Sequence, residues 1–204
     1  MIIRDLDQTV KDIDKQAAET KKAGETAAKV EGFRLMKLLK AEIREGAPGG
    51  QKFSPLTEMA KIYSYGSRNR TPLKRLSIPV RYRVSRTSDE FAFSLGYMAQ
   101  DIAGSVKSSN RISKSWARIL QLHQEGGTIP IDQDLRRALL IEGARLQKRK
   151  NTRGAANVFF LKKSTMSFRI PRREIVDPFW RAHEGEAARN INRNFERKMA
   201  GERI

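Results

Sequence analysis

Apolar positions change rhythm along this chain. Ile3, Leu6, Val10 and Ile13 recur at helical spacing, as do Val30, Phe33 (or Arg34) and Lys37 with the flanking Leu35, Leu38, Leu39 and Ile43. Between them, residues 14–29 are rich in Ala, Lys, Glu and Thr and contain Gly24. The pattern predicts one long N-terminal helical segment over 1–47, or two helices with a weak joint at Gly24. Gly46 and Pro48 supply its stop signals. Ser54-Pro55 then reads as an N-cap and first helical position for a short helix over 55–63.

The rhythm next shortens to two. Ile78, Val80, Tyr82 and Val84 alternate with Arg81, Arg83 and Ser85, and Phe91, Phe93 and Leu95 alternate likewise. With a turn over 85–89, residues 76–97 read as a hairpin. Trp116, Ile119, Leu120 and His123 form a helix face that stops at Gly126-Gly127. Asp132 caps a further helix carrying Leu135, Leu139 and Leu146, and KRKNTRGAAN follows as a basic loop. Residues 128–156 thus read as a helical and basic-loop insertion. VFFL and MSFRI, joined at 162–165, predict a second hairpin over 157–170. Asp177-Pro178 opens a last helix over 178–200, with Ala187 (or Ala188), Ile191, Phe195 and Met199 on one face.

These elements predict a single α+β domain over 1–204. An antiparallel sheet of about four strands, from two hairpins, is packed by the long N-terminal helix and the C-terminal helix. Trp116, Ile119, Leu120, Ile78, Val80, Phe91 and Phe93 are the expected core, with the 76–97 hairpin covered by the two terminal helices.

Composition narrows the function classes. Hydrophobic residues make up 39% and aromatics 7% of the 204 residues, which implies a modest core completed by a partner. There is no cysteine, so disulfides and thiolate metal sites are excluded. No apolar run approaches the ~20 residues of a membrane span. Acids stand in MIIRDLDQTV where a signal peptide would be apolar, so export is not expected.

Net charge is +18 and segregated. Residues 59–88 hold eight Lys/Arg and no acid, and residues 143–173 hold ten and no acid. Those two segments account for the whole excess, and they favour a polyanion or an acidic protein surface. The candidate contacts are Arg68, Arg70, Lys74 and Arg75 in the loop GSRNRTPLKR, then Arg145, Lys148, Arg149, Lys150 and Arg153, then Lys162 and Lys163. The stretch 145–153 has no apolar periodicity after Leu146 and reads as an extended loop outside the core. The simpler account of all these charges is a solvated face. No helix-turn-helix, zinc finger or RNP motif is present to read sequence.

No catalytic motif emerges, and no enzyme, cofactor or metal is expected. There is no HExxH, Walker loop or GxGxxG. His123 lies on a helix face where a packed histidine is the simpler account. His183 with Glu184 and Glu186 would need further ligands from elsewhere to hold a metal.

Three stretches together resemble phage tail-completion proteins, the group of minor tail protein Z and the virion morphogenesis family. They are IIRDLDQTVKDIDK with the helix end LLKAEIREGAPGG, the middle SWARILQLHQEGGTIPI, and the end FRIPRREIVDPFWRAHEGEAARNINRNFERKM. They cover about half of the chain in the family's order. The resemblance implies a structural protein of the virion, assembled in the host cytoplasm. It forms a ring at the head–tail junction, often sixfold, around the DNA path. Its implied partners are further copies of itself, the head-completion or connector protein and the tail terminator, with genomic DNA in the channel and no membrane. Two other classes stay open: a nonspecific nucleic-acid-binding protein, and a small metal-dependent enzyme.

Overall fold

The computed structural model describes residues 3–55, 71, 73–86, 91–102, 105–106, 114–148 and 165–204. The side chains at 3–6, 101–102, 105–106, 114–116, 118–119, 142 and 146 lie outside that description. The class is α+β, with antiparallel strands packed by a long N-terminal and a C-terminal helix.

Helix α1 runs unbroken from Ile3 to Glu45. Gly24 is not a joint. A Cβ there would stand 3.2 Å from the Phe91 ring, so the glycine sits where another element comes close. Gly32 is tighter, since its Cβ would meet Phe93 and Tyr82 at 2.6 Å each. Ala23, Ala27, Glu31, Leu35, Leu39 and Ile43 form the buried stripe, one every fourth residue. Val30 and Phe33, which fall at helical spacing in the sequence, are exposed. Val30 lies about 100° around the helix from that stripe, and Phe33 about 160° or more.

The helix ends in a Schellman turn. Gly46 takes φ +82°, its N–H donates to Ile43 O at 3.2 Å, and Ala47 N–H donates to Glu42 O at 3.0 Å. A 3-10 turn over Pro48–Gly50 follows. Gly49, at φ +61°, rests so close to the main chain of Pro178 that a Cβ would overlap its carbonyl oxygen. The Glu42 carboxylate accepts from Gly49 N–H at 2.6 Å. The Pro-Gly-Gly break therefore seats the end of α1 against the start of the last helix.

A second 3-10 turn, Lys74–Ser77, leads into β1 (Val80–Arg86), which pairs antiparallel with β2 (Phe91–Tyr97). Tyr82 faces Leu95 and Val84 faces Phe93 in the register, as the alternation requires. Val80 is fully buried, and Phe91 and Phe93 are half-buried. Ile78, expected in the core, is 58% exposed. The strand begins only after Pro79, so the two-residue rhythm does not extend back to 78. Lys74 and Arg75, expected in an open loop, are exposed on the 3-10 turn itself.

Helix α2 (Ala99–Ile102) and the short pair β3 (Ser105–Val106) with β4 (Lys114–Ser115) lead to α3, Trp116–Glu125. Gly126, at φ +73°, stops α3 as its sequence suggests. Leu120 is buried; the side chains of Trp116 and Ile119 are outside the described residues. Next comes β5 (Gly127–Pro130), then α4 (Gln133–Lys148), whose start is held by Asp132 Oδ1 accepting from Leu135 N–H at 2.7 Å. Strand β6 (Ser167–Ile170) pairs antiparallel with β5, Gly127 opposite Ile170. The second hairpin was expected to close locally over 157–170. Residues 149–164 are outside the described residues, and the observed partner of MSFRI is the distant GTIP. Arg145 and Lys148 belong to the last turns of α4 rather than to a loop, because helical hydrogen bonding continues past Leu146.

Helix α5, Val176–Met199, completes the fold. Phe179, Ala187 and Asn190 form its buried face, while Met199 is 43% exposed. The core joins Leu35, Leu39 and Ile43 of α1 to Leu76, Val80, Leu120, Ile175, Phe179 and Ala187. Phe33, Tyr82, Phe93 and Trp180 make a chain of ring contacts at 6.3–6.5 Å that runs from α1 across the hairpin to α5. Glu31 is buried at the α1–α5 contact. Its carboxylate accepts from Arg34 at 2.7–3.0 Å and from the Asn190 amide at 3.4 Å. That hydrogen bonding holds the Arg34 guanidinium above its ordinary pKa, and a satisfied buried carboxylate fixes the register of the two helices.

Candidate functional site: a basic face on the α1–hairpin body

Of the cations singled out in the sequence, Lys74, Arg75, Arg145 and Lys148 are described and all four are exposed. Arg68, Arg70, Arg149, Lys150, Arg153, Lys162 and Lys163 lie outside the described residues. Lys74 and Arg75 stand on the 3-10 turn packed against α1, and Arg145 and Lys148 on α4.

The structure instead assembles a group of which segment counting found only the strand residues. Lys40 and Arg44 lie one turn apart near the C-terminal end of α1, and Arg81 projects from β1. Burial, then the nearby charges of Arg81 and Arg44, push the Lys40 ammonium below its ordinary pKa. Arg44 Nε donates to Ser77 Oγ at 3.4 Å, and Ser77 Oγ donates to Lys74 O at 2.8 Å. This ties Arg44 to the turn that carries Lys74 and Arg75. Arg81 Nη1 donates to the carbonyls of Ile78 and Val80 at 2.8 and 2.9 Å, which holds its guanidinium flat on the strand start. Among the described residues no ion pair joins Lys40, Arg44 or Arg81 to an acid. Arg83 continues the outward row of β1, opposite Ser94.

Such a surface is suited to an extended anion. Its cations repel one another, so a phosphate or carboxylate arriving there relieves repulsion as well as gaining contacts. The helix C-terminus, whose partial charge is negative, helps tolerate Lys40 and Arg44 without an acidic partner. The readable signal was there: two bases at i, i+4 in the last turns of a helix, feeding an acid-free strand. It escaped because Lys40 and Arg44 belong to the charge-balanced part of the chain.

Both histidines have structural partners. His183 Nε2 lies 2.8 Å from Glu42 Oε1, the carboxylate that also holds Gly49, and its ring packs on Phe179 at 4.5 Å. Glu186 is 4.0 Å from Nδ1, and Glu184 is exposed. Among the described residues no group of three His, Asp or Glu side chains is placed to hold a metal ion. His123 Nδ1 accepts from Arg173 Nη1 at 3.1 Å, which requires the neutral ring with its proton on Nε2. Burial, then the Arg173 charge, pushes the imidazole down to about 4.

Arg173 is itself 4% exposed. Its guanidinium donates to the carbonyls of Ser54 and Pro55 at 2.9 and 3.0 Å, and its backbone N–H to His123 O at 2.6 Å. It clamps three segments together, and burial lowers its pKa. Counted among the free positive charges of 143–173, it is removed from the surface field. Arg172 is paired with Glu174 at 2.5 Å and leaves that field as well.

Among the described residues no helix is long and apolar enough to cross a membrane. The chain matches no protein-family model, no curated protein sequence and no solved structure.

Proposed function

We propose that this chain is a structural subunit of a multi-copy assembly, a ring at the neck of a tailed phage where tail meets head. The observation that carries the reading is the N-terminal half of α1. Every side chain from Asp7 to Lys22 is exposed, including Val10 and Ile13 at 51% and 59%. A helix of that length makes no core for its own chain, and such a face is covered by another chain in a self-assembling protein. The sequence resemblance to tail-completion proteins supplies the place of the ring, its sixfold order, its location in the virion, and its neighbours, the head-completion or connector protein and the tail terminator. The Lys40, Arg44 and Arg81 face then lies toward genomic DNA or toward an acidic neighbouring ring.

Light scattering across a concentration series tests the assembly, and imaging of a particle with this chain labelled tests the place. Concentration-dependent oligomers and label at the head–tail junction are expected. A monomer at every concentration, or label elsewhere in the particle, overturns the reading.

The basic face favours one second reading, a nonspecific nucleic-acid-binding protein that forms no ring. There the affinity for duplex DNA falls steeply with salt, and Lys40→Gln with Arg81→Gln flattens the slope by about two phosphate contacts. A monomer with that behaviour selects this reading over the ring.

A further inference from the structure

We propose that the seam between α1 and the free edge of β1 binds a single strand of nucleic acid. Phosphates rest on its cations and a base stacks on Phe33. This rests on the nucleic-acid reading of the basic face and does not require the ring. Strand β1 runs back along α1. Arg81 lies beside Lys40, Tyr82 beside Gly32 and Phe33, and Arg86 within charge range of Glu25. Strand β2 takes the side toward α5, where Phe93 meets Trp180 at 6.3 Å and a Cβ on Gly96 would stand 3.5 Å from Val176. The other edge of β1 pairs with no strand among the described residues. Beside it on α1, Phe33, Lys37, Lys40 and Arg44 follow at i, i+4, i+7 and i+11, one face of the helix ~16 Å long.

Charge and an exposed ring together select this ligand. Lys37, Lys40, Arg44, Arg81 and Arg83 have no ion pair to an acid among the described residues. Glu25, farther along the seam, is taken by Lys29. Glu45, next to Arg44 in sequence, points about 100° away around the helix. Arg81 uses Nη1 on the carbonyls of Ile78 and Val80, so its Nε–H and Nη2 remain for a ligand. Lys40 and Arg44 are ~6 Å apart along α1, and Arg81 and Arg83 ~7 Å apart along β1, steps that suit successive phosphates of an extended strand. Phe33 heads the helical row and is 46% exposed. Tyr82 meets its ring at 64° between planes, and Lys37 Nζ stands 4.3 Å from the ring centroid. A base stacked there displaces the Lys37 ammonium to the adjoining phosphate, so stacking and ion pairing are gained together. A duplex keeps its base faces inside the stack and gains nothing from Phe33. An acidic protein surface supplies carboxylates for the cations but no row of flat rings.

Fluorescence anisotropy of the full chain tests this, with a labelled oligothymidylate of about 12 nucleotides and a duplex of the same length, over ~50 to ~200 mM salt. At the upper salt the single strand is expected to bind at least about fivefold more tightly than the duplex. Phe33→Ala is expected to weaken the single strand about tenfold while leaving duplex affinity and the salt slope unchanged. Lys37→Gln with Arg44→Gln is expected to lower the single-strand slope by about 1.4. Phe33→Trp should keep the affinity, and its indole emission, measured above that of Trp116 and Trp180, should be quenched by the strand. An indole there that stays unquenched, or an equal loss for strand and duplex in Phe33→Ala, overturns the stacking site. Duplex binding with no preference for the single strand overturns it and leaves the nucleic-acid reading standing. Polyglutamate that displaces the strand at equal charge concentration overturns it in favour of an acidic protein surface. No binding of either nucleic acid across the salt series overturns both.

Discussion

The two halves of α1 are one continuous helix held by different physics. From Ala23 to Ile43 a side chain is buried every fourth residue, and the hairpin comes near enough to demand Gly32. From Asp7 to Lys22 nothing is buried. Local side-chain hydrogen bonds run along it: the Gln8 amide donates to Asp12 at 3.1 Å, and Thr20 Oγ1 donates to Gln16 O at 2.8 Å. An isolated helix of that length is marginal in water. It persists because the buried half has already formed the nucleus, and each further residue only propagates it. Ala17, Ala18 and the straight-chain Lys, Gln and Glu side chains favour that propagation. One half of the helix is therefore specified by packing and the other by propensity, and substitutions separate the two.

The largest effects belong to the buried half and what it packs on. Phe179 is fully buried against the Leu35–Ile43 stripe. Phe179→Ala is expected to lower unfolding stability by ~3–5 kcal/mol in denaturant titration. Phe93 is only half-buried, and Phe93→Ala is expected to cost less than that. A loss below ~1 kcal/mol at Phe179 would mean that α5 does not rest on α1.

Glycine substitutions then trace how the packing fades toward the arm. Gly32→Val forces the Phe93 and Tyr82 rings apart and is expected to cost ~2–3 kcal/mol despite the better helix propensity. At Gly24 the added Cβ meets only the edge of the Phe91 ring at 3.2 Å, which can shift. Gly24→Ala is expected to be near neutral, since the ~1 kcal/mol gain in helix propensity offsets the crowding. Equal losses at both sites would remove the gradient along α1.

A pH effect of intermediate size comes from the clamp that fastens α3 to the segment after α1. Unfolded, His123 titrates near its ordinary 6.5; folded, it titrates at about 4. Between those values the unfolded chain holds the extra proton, so stability is full above 6.5 and is lost as pH falls toward 4. Protonation also places a donor at Nδ1 opposite the Arg173 guanidinium. The ring is partly exposed to solvent, so the loss is discounted to ~1–2 kcal/mol. Thermal unfolding at pH 7 and pH 4.5 measures it, and His123→Gln should remove most of the difference.

What the sequence could reveal follows from how local each cause is. Helical spacing and the stop at Gly46 made α1 legible, because capping and periodicity are short-range. The inward register of Tyr82, Val84, Phe93 and Leu95 was legible for the same reason. The pairing of Ser167–Ile170 with Gly127–Pro130 was not: a four-residue strand ending in proline resembles a loop, and its partner lies about forty residues on. Gly24 resembled a weak joint because a glycine that makes room for a distant aromatic ring has the same letter as one that breaks a helix. The basic face was half legible. Charge counting found Lys74, Arg75, Arg81 and Arg83 but overlooked Lys40 and Arg44, which only the fold brings beside Arg81. It also counted Arg173 as surface charge, although three acceptors distant in sequence or on other segments draw it inside.

The smallest expected effect is the sharpest test of the comparison. Val10→Ser and Ile13→Ser remove the apolar seam of the arm, and neither side chain is buried in the single chain. Surface substitutions of this kind stay within ~0.5 kcal/mol, apart from a few tenths from the lower helix propensity of serine. Denaturant unfolding of the dilute protein is therefore expected to be nearly unchanged, in contrast to Phe179→Ala. Association is expected to weaken, because in the proposed multi-copy assembly these two exposed apolar side chains are covered by another chain. Stability measured at low concentration and assembly measured at high concentration should thus respond to opposite halves of one helix. A loss of more than ~1 kcal/mol in the dilute protein would show that the arm folds back onto its own body, and the division of α1 into a packed half and a docking half would be wrong.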